Sequence, residues 1–275
     1  DRITNIIKNN SKSRFCPEGV NKFLSLAKRE YFWLDLISDA KIEKEIDSFS
    51  QSFNWKIDLD EFLKISYLTS HIIDFRSSFT ATHSEGIATT ATYLSKKLNF
   101  NKKNQKKIKI AGYLHDIGKL AVPPKILNKN GKLNNDEWSI MKTHTYYTYQ
   151  ALSTSKKLDD IKEWAAFHHE KLNGKGYPFH LKSKNISLGS RIMSVADIFT
   201  AITEDRPYRK GMKSNKVKMI LEDMTKKGEL DEKVVGIILD NYQEFNSLRE
   251  NSQNKVKEIF YNFNKNADKI IKTPK

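Results

Sequence analysis

The sequence contains little cysteine, proline or glycine: one cysteine, six prolines and 11 glycines in 275 residues. A single cysteine excludes an internal disulfide, and we expect Cys16 to be a small packing residue in a reducing compartment. No apolar run approaches the roughly 18 residues of a membrane span, so no membrane contact is expected. The sequence therefore predicts a cytoplasmic chain. Because it begins with Asp1 rather than Met, it is also compatible with the cytoplasmic part of a longer, membrane-anchored protein.

Acidic residues are too few to balance the lysines and arginines, and the formal net charge is +15. Such a charge favours contact with an anion, for example a nucleotide. The lysines are spread along the chain, as in Lys96-Lys97 and Lys226-Lys227, and do not form one basic arm with interleaved aromatic residues. A solvated surface explains them as well, and no nucleic acid polymer is predicted as a partner.

Apolar residues recur at helical spacing almost everywhere, as in Ile87, Ala91, Leu94 and Leu98. Convincing strand alternation is absent, so the sequence predicts an all-α protein. Asn134 and Glu137 form a candidate capping box at one helix start.

A polar stretch over residues 48–54 indicates a boundary between residues 50 and 58. We assign residues 1–55 to a helical N-terminal segment, interpreted as the tail of an upstream regulatory domain. Residues 56–275 are assigned to the main domain. Within it, residues 118–134 and 171–187 are rich in glycine and proline and are predicted to be long functional loops.

The strongest local pattern is Leu114-His115-Asp116-Ile117-Gly118-Lys119. An apolar helix here delivers an adjacent imidazole and carboxylate to the point where Gly118 is expected to end it, and both groups can bind one metal ion. Lys119 could face a phosphate, although a cation at a helix C-terminus also stabilises the helix dipole. His71 and His180 lack such neighbours and are interpreted as structural or solvated.

Two further patterns lie downstream. His168-His169-Glu170 leads into a loop in which Gly174 and Gly176 are expected to adopt positive φ and allow a close approach of the backbone. Neutral imidazoles suit iron, manganese or zinc. Asp197 stands in an apolar helical run, where a buried carboxylate needs a partner or a metal ion.

Taken together, these patterns resemble the HD-GYP family in residue type, order and spacing over roughly residues 70–245. The resemblance is carried by His83-Ser84, His115-Asp116-Ile117-Gly118-Lys119, Met141-Lys142-Thr143-His144, His168-His169-Glu170, Gly176-Tyr177-Pro178, Val195-Ala196-Asp197 and Asp205-Arg206-Pro207-Tyr208-Arg209. It implies the helical bundle of the HD superfamily for the main domain, whereas the smaller helical N-terminal segment has no comparable match.

The resemblance also implies a metal-dependent phosphodiesterase that hydrolyses cyclic di-GMP to linear pGpG, and in some members to GMP, by attack of a metal-activated hydroxide. The implied cofactors are two divalent transition-metal ions, iron or manganese. Asp116 and Lys119 are the implied catalytic residues, and Lys119, Arg206, Arg209 and Tyr177 are assigned to substrate binding. The implied metal ligands are His83, His115, Asp116, His144, His168, His169 and Asp197, with Asp116 bridging the two ions.

One departure bears on the number of metal ions. Some members hold a third ion with a glutamate four residues before the first ligand histidine, and this chain has Phe79 there. We therefore predict two ions. The alternative function is a cyclic-dinucleotide receptor whose metal site is structural and whose loop around Tyr177 docks a protein partner. Another cyclic dinucleotide as substrate and a homodimeric assembly are both compatible with the sequence.

Overall fold

A computed structural model describes residues 2–52, 56–76, 82–205 and 209–271 of the chain. Five residues named above lie outside the described residues: Asp1, Phe79, Arg206, Pro207 and Tyr208. The chain divides into two compact units, Asp1–Ile57 and Asp58–Lys275. The regulatory role expected of residues 1–55 stays a prediction.

The described residues form fourteen α-helices and no sheet, which confirms the prediction of an all-α protein. None of these helices is both long enough and apolar enough to cross a membrane. The first unit contains α1 (Arg2–Asn9), α2 (Pro17–Leu26), α3 (Glu30–Leu36) and α4 (Asp39–Ser52). The second unit contains α5 (Leu59–Arg76), α6 (His83–Lys97), α7 (Lys102–Leu114), α8 (Pro124–Leu127), α9 (Asn135–Ala151), α10 (Asp159–Ala166), α11 (Leu188–Thr203), α12 (Ser214–Lys226), α13 (Glu232–Asp240) and α14 (Tyr242–Ile271).

In the first unit, aromatic rings pack edge to face around Phe23, which lies 5.7 Å from Phe32 and 6.2 Å from Trp33 between ring centroids. The packing role expected of Cys16 is wrong. Cys16 is exposed, and its Sγ accepts a hydrogen bond from the backbone N–H of Gly19 at 3.3 Å, which caps the start of α2.

In the second unit, the apolar stripes of the helices meet in one core. Ile87 and Leu94 of α6, Ile108 of α7, and Ile192 and Phe199 of α11 are all fully buried. Burial of such side chains stabilises a fold by roughly 1.5–3 kcal/mol each. The helical period found in the sequence therefore corresponds to the faces that α6, α7 and α11 present to the core.

Helix ends set the positions of several polar side chains. The capping box at the start of α9 is confirmed, with Asn134 accepting from the N–H of Glu137 and the Glu137 carboxylate accepting from the N–H of Asn134. The expectation that Gly118 ends α7 is wrong. The helix ends at Leu114, and Gly118 lies in a short 3₁₀ helix over Ile117–Ala121. His115 and Asp116 therefore occupy the break between the two helices.

Candidate metal centre

The seven residues predicted to bind metal lie near helix ends or inside buried helices and converge in the second unit. His83 begins α6, His115 and Asp116 follow α7, and His168 and His169 follow α10. His144 belongs to α9 and Asp197 to α11. All except His169 are buried, and the side chain of His169 is 32% exposed, so one edge of the cluster faces solvent.

Three overlapping groups of ligand atoms form, each with its atoms within 4.8 Å of one another. Among the described residues, these groups draw on the seven predicted positions and on no others. Their members are His83, His115 and Asp197 in the first, His144, His168 and His169 in the second, and His115, Asp116 and His168 in the third.

The Asp116 carboxylate lies between the first two groups. Its Oδ2 is 3.1 Å from His115 Nε2, and its Oδ1 is 3.5 Å from His144 Nε2. Asp197 lies within the first group, with Oδ1 3.4 Å from His83 Nε2 and Oδ2 3.8 Å from His169 Nδ1. Each carboxylate therefore faces two imidazoles.

Three of the histidines are oriented by the backbone three residues earlier. The Nδ1 atoms of His115, His144 and His168 lie 2.9, 2.7 and 2.6 Å from the carbonyl oxygens of residues 112, 141 and 165. A carbonyl can only accept, so Nδ1 carries the proton in each case and Nε2 keeps its lone pair. Ligand histidines commonly have such a partner at the second nitrogen.

The donor set fits divalent transition-metal ions. His144 Nε2 is buried and has no hydrogen-bond partner among the described residues, although Asp116 is near. A buried, unpartnered imidazole nitrogen is unfavourable unless a ligand uses it. Imidazole nitrogens with carboxylate oxygens are ligands for ions such as iron, zinc and manganese.

Charges within the cluster shift the pKa values of its members. Burial disfavours the charged form of Asp116, yet His115 and Lys119 hold its pKa well below the usual range. Burial likewise opposes ionisation of Asp197, but His83 and the neighbouring imidazoles lower its pKa. For His144, burial dominates and lowers the pKa to about 3. Two ionised carboxylates and a neutral imidazole are the protonation states that bind cations.

Sequence reasoning missed the role of Glu204 at this centre. Its buried carboxylate lies 3.0 Å from Nδ1 of His83. Burial opposes the charged form of His83, but Glu204 and Asp197 together raise its pKa to about 10 in the absence of metal, so a cation bound at Nε2 would displace a proton from that nitrogen. The only sequence signal was an acidic residue directly before Asp205-Arg206-Pro207.

Lys119 and Tyr177 border the cluster. Lys119 Nζ lies 2.6 Å from Asp116 Oδ2, and its side chain is 20% exposed. The Tyr177 ring lies 5.0 Å from that of His169, at the solvent-facing edge, and burial together with Asp197 raises the pKa of its hydroxyl.

Glu170 and Gly176 hold the loop that carries Tyr177. The buried Glu170 carboxylate accepts from the N–H groups of Phe179 at 2.7 Å and Leu181 at 3.0 Å. The positive φ expected for Gly174 is present, at +77°, whereas Gly176 does not adopt it. Gly176 is needed for space instead, because a Cβ there would lie 2.4 Å from Glu170 Cα.

The structure does not bring Arg209 into this cluster. Its Nη2 donates to the backbone carbonyl of Ala201, a contact that uses one N–H group of the guanidinium. Of the two histidines set aside earlier, His71 has Nδ1 2.8 Å from the carbonyl oxygen of Tyr67, and His180 is exposed in the loop. Neither belongs to any of the three ligand groups.

Comparison with known proteins agrees with this architecture. A family model described as an HD domain matches residues 67–234. The 3'3'-cGAMP-specific phosphodiesterase 1 of Vibrio cholerae is 35% identical over 240 residues, which cover 86% of this chain and 56% of that protein. A cyclic di-GMP phosphodiesterase of Thermotoga maritima is 30% identical over 191 residues, covering 69% of this chain and 48% of that protein. The chain thus spans about half the length of these curated relatives.

A solved structure supports the fold. The HDG"Y"P protein from Bdellovibrio bacteriovorus superposes with a TM-score of 0.51 at 17% identity, over 68% of this chain and 65% of that one. The HD-domain match and the similarity to the two phosphodiesterases identify the family. The chain belongs to the HD-GYP family of HD-domain proteins.

Proposed function

We propose that this chain is a phosphodiesterase that hydrolyses a cyclic dinucleotide at a centre of two divalent transition-metal ions, iron or manganese. The observation that carries the proposal is the pairing of two three-residue ligand groups with one carboxylate, that of Asp116, between them. Two cations held by a shared carboxylate are a recurring arrangement in enzymes that cleave phosphate esters.

The residues divide naturally between two ions. His83, His115 and Asp197 would hold one ion, and His144, His168 and His169 the other, with Asp116 shared. When bound, the two ions supply Lewis acidity at the phosphoryl oxygen and acidify a water molecule. The chain itself keeps Asp116 and Asp197 ionised and His144 neutral, and so maintains the ligands in the form that binds cations.

Lys119 and Tyr177 would act on the substrate. The Lys119 ammonium lies next to the shared carboxylate and is fixed there by an ion pair with Asp116. A partly buried cation at this position would stabilise negative charge that develops on the phosphoryl group. Tyr177 lies at the solvent-facing edge beside His169, where its ring could stack on a base of the substrate. Phosphate contacts by Arg206 and Arg209 stay predictions.

Cyclic di-GMP is the proposed substrate, with linear pGpG as first product and GMP as the product of a second cleavage. A second candidate is 3'3'-cGAMP. It is favoured by the name of the Vibrio cholerae relative, whose similarity extends over 86% of this chain. Both substrates present the same two phosphodiester bonds to the metal centre and differ in one base, so the base contacts would decide between them.

The proposal is tested by hydrolysis assays on protein purified without oxygen and loaded with iron or manganese. Cyclic di-GMP and 3'3'-cGAMP are supplied in parallel, and linear products are followed over time. Asp116→Asn removes the shared carboxylate and is expected to abolish turnover. Asp223→Asn, an exposed carboxylate paired with Lys227, is the matched control and should turn over at the wild-type rate.

The same assay separates the enzyme from a receptor. A receptor would bind one of the cyclic dinucleotides with both ions present and leave it intact, and its loop around Tyr177 would then serve to dock a protein partner. Tight binding without product at full metal occupancy would refute the proposed phosphodiesterase.

A further inference from the structure

A buried polar chain connects α14 to the metal centre. Gln253 and Arg249 of α14 are 3% and 4% exposed, and Glu204, which follows α11, is 5% exposed. Polar groups buried to this degree are unfavourable unless they hydrogen-bond. Both α14 residues lie beyond residues 67–234, the part of the chain that the HD-domain model matches. Their hydrogen-bond partners therefore indicate that α14 contributes to the metal centre from a part of the chain that the HD-domain model does not match.

Gln253 joins two segments that carry metal ligands. Its amide nitrogen donates to the carbonyl oxygen of Thr82 at 3.0 Å and to Glu204 Oε2 at 3.1 Å. Thr82 directly precedes His83 at the start of α6, and Glu204 directly follows α11, which carries Asp197. One side-chain amide thus links the two segments that bring His83 and Asp197 together.

The orientation of this amide is fixed by Arg249. The Gln253 oxygen accepts a hydrogen bond from the Arg249 guanidinium, which also donates to Asn246 Oδ1 at 2.8 Å. Because arginine can only donate, the oxygen of Gln253 must face Arg249 and its NH₂ group must face Glu204 and Thr82. Asn246 and Arg249 thereby hold Gln253 in the orientation that serves Glu204.

Glu204 passes this constraint to His83. Its two carboxylate oxygens lie 3.0 and 3.1 Å from His83 Nδ1, while His83 Nε2 faces Asp197 Oδ1 at 3.4 Å. A carboxylate at Nδ1 keeps the proton there and directs Nε2 towards a cation. The other buried ligand histidines obtain the same effect from their own backbone, so His83 is the one that depends on a distant side chain.

The close approach of α14 to α6 at this point requires a glycine. A Cβ at Gly86 would lie 2.8 Å from Gln253 Nε2 and 2.8 Å from Thr200 Cγ2. Gly86 is one turn beyond Thr82, whose carbonyl also accepts the Gly86 N–H at 3.2 Å. Space for the Gln253 amide is therefore provided by the same turn that carries His83.

We propose that Gln253 is a positioning residue of the metal centre, which holds Glu204 against His83 and so directs His83 Nε2 to the cation shared with His115 and Asp197. This inference rests on the proposed two-metal centre. It makes α14 part of the support for one cation and leaves the second cation, at His144, His168 and His169, independent of Gln253.

The test is a titration of metal-free protein with Mn²⁺ against a competing chelator, which gives two stepwise dissociation constants. In Gln253→Met, of similar length but without the amide, we expect one of the two constants to rise by about 10- to 100-fold. The other constant should remain within about two-fold of the wild type. Gln105→Met removes an equivalent amide, which lies near the start of α7, at the opposite end of that helix from His115, and donates to the Phe100 carbonyl at 2.7 Å. This variant should leave both constants unchanged.

Two further variants keep the test decisive. Gln253→Glu retains the acceptor for Arg249 but replaces the donating amide with a carboxyl group that faces Glu204, so it should weaken binding of the same single cation and serves if the methionine variant does not fold. Glu204→Gln keeps an oxygen available for His83, and it is expected to weaken the binding of the same single cation by less than Glu204→Leu does. This graded rescue would not occur if Glu204 only filled space.

The outcomes separate the inference from the proposed function. Wild-type protein that binds two cations, together with a Gln253→Met variant that binds both equally well, would overturn the inference alone. Equal weakening of both cations in that variant would also overturn it, since a merely structural role predicts a general loss. Wild-type protein that binds fewer than two cations would overturn both the two-metal centre and the inference built on it.

Discussion

Gly118 lies where the 3₁₀ helix after Asp116 crosses α9. A Cβ added there would lie 1.9 Å from the carbonyl oxygen of His144 and 2.6 Å from the backbone nitrogen of Thr148. The same crossing is held by hydrogen bonds, because the Gly118 N–H donates to Thr148 Oγ1 at 3.1 Å and that hydroxyl donates to the His115 carbonyl at 2.9 Å. Two segments that carry candidate ligands of the two proposed ions are thus in direct backbone contact.

A Gly118→Ala substitution is therefore expected to be severe. Ordinary contacts of a Cβ begin near 3.4 Å, so the two backbones must separate by more than about 1 Å. Overpacking of this kind lowers the free energy of unfolding by about 1–3 kcal/mol, and a clash with backbone atoms belongs at the upper end. For a chain of this size, 3 kcal/mol corresponds to a decrease in Tm of about 6–12 °C. Displacement of His144 should also weaken metal binding.

The assay is chemical denaturation of the metal-free protein, followed by the Mn²⁺ titration. Gly236→Ala is the control, since a Cβ at Gly236, inside α13, would meet no atom within 4 Å. Alanine in a helix interior should raise the free energy of unfolding there by about 0.5–1 kcal/mol. If Gly118→Ala were as stable as the wild type and bound metal equally well, the reasoning from this crossing would be refuted.

Three other predictions follow from the site and its surroundings. Lys119→Met should lower kcat by about 10²–10³-fold, because a positioned cation is lost. The Mn²⁺ titration of this variant should still show two ions. An unchanged kcat would contradict the role given to Lys119. Burial raises the pKa of Asp74 from 3.8 to about 6, so its contribution to stability is greatest below pH 3.8 and is lost as the pH rises to about 6. In urea denaturation, the free energy of unfolding of Asp74→Asn should therefore increase relative to that of the wild type by about 3 kcal/mol between pH 4 and pH 7. A pH-independent difference between the two proteins would show that the carboxyl titrates normally. Glu170→Ala leaves the N–H groups of Phe179 and Leu181 without their acceptor and should lower the free energy of unfolding by about 3 kcal/mol. The KM should rise, because the loop that carries Tyr177 loosens. An unchanged free energy of unfolding and an unchanged KM would show that Glu170 does not support this loop.

The sequence was sufficient for the fold class, and the family resemblance it carries supplied the candidate ligand positions. Apolar residues at helical spacing predicted the buried faces of α6 and α11, and dipeptides such as His115-Asp116 marked places where a helix delivers side chains at its end. The resemblance to the HD-GYP family implied seven candidate ligand positions, and the folded chain brings these seven together.

Residues that support the ligands were not predictable in the same way. Glu204 and Gln253 are separated from His83 by more than a hundred positions in the sequence, and both are residue types that usually lie on the protein surface. The packing of both α11 and α14 on α6 makes them buried neighbours. The role of Gly176 was misjudged for a related reason, since its requirement comes from Glu170 at close range and not from its own backbone angle.

The carbonyl bonds at Nδ1 of His115, His144 and His168 have an entropic consequence. A free imidazole loses rotamer freedom when it binds a cation, which disfavours binding by about 0.5–1.5 kcal/mol for each immobilised side chain. Here that loss has already occurred on folding, because each ring is held by its own backbone. Each such ring favours cation binding by about 1 kcal/mol. At equal ligand number, the ion proposed at His115 should therefore bind roughly fivefold more tightly, and the ion proposed at His144 and His168 roughly thirtyfold more tightly, than ions held by freely rotating histidines.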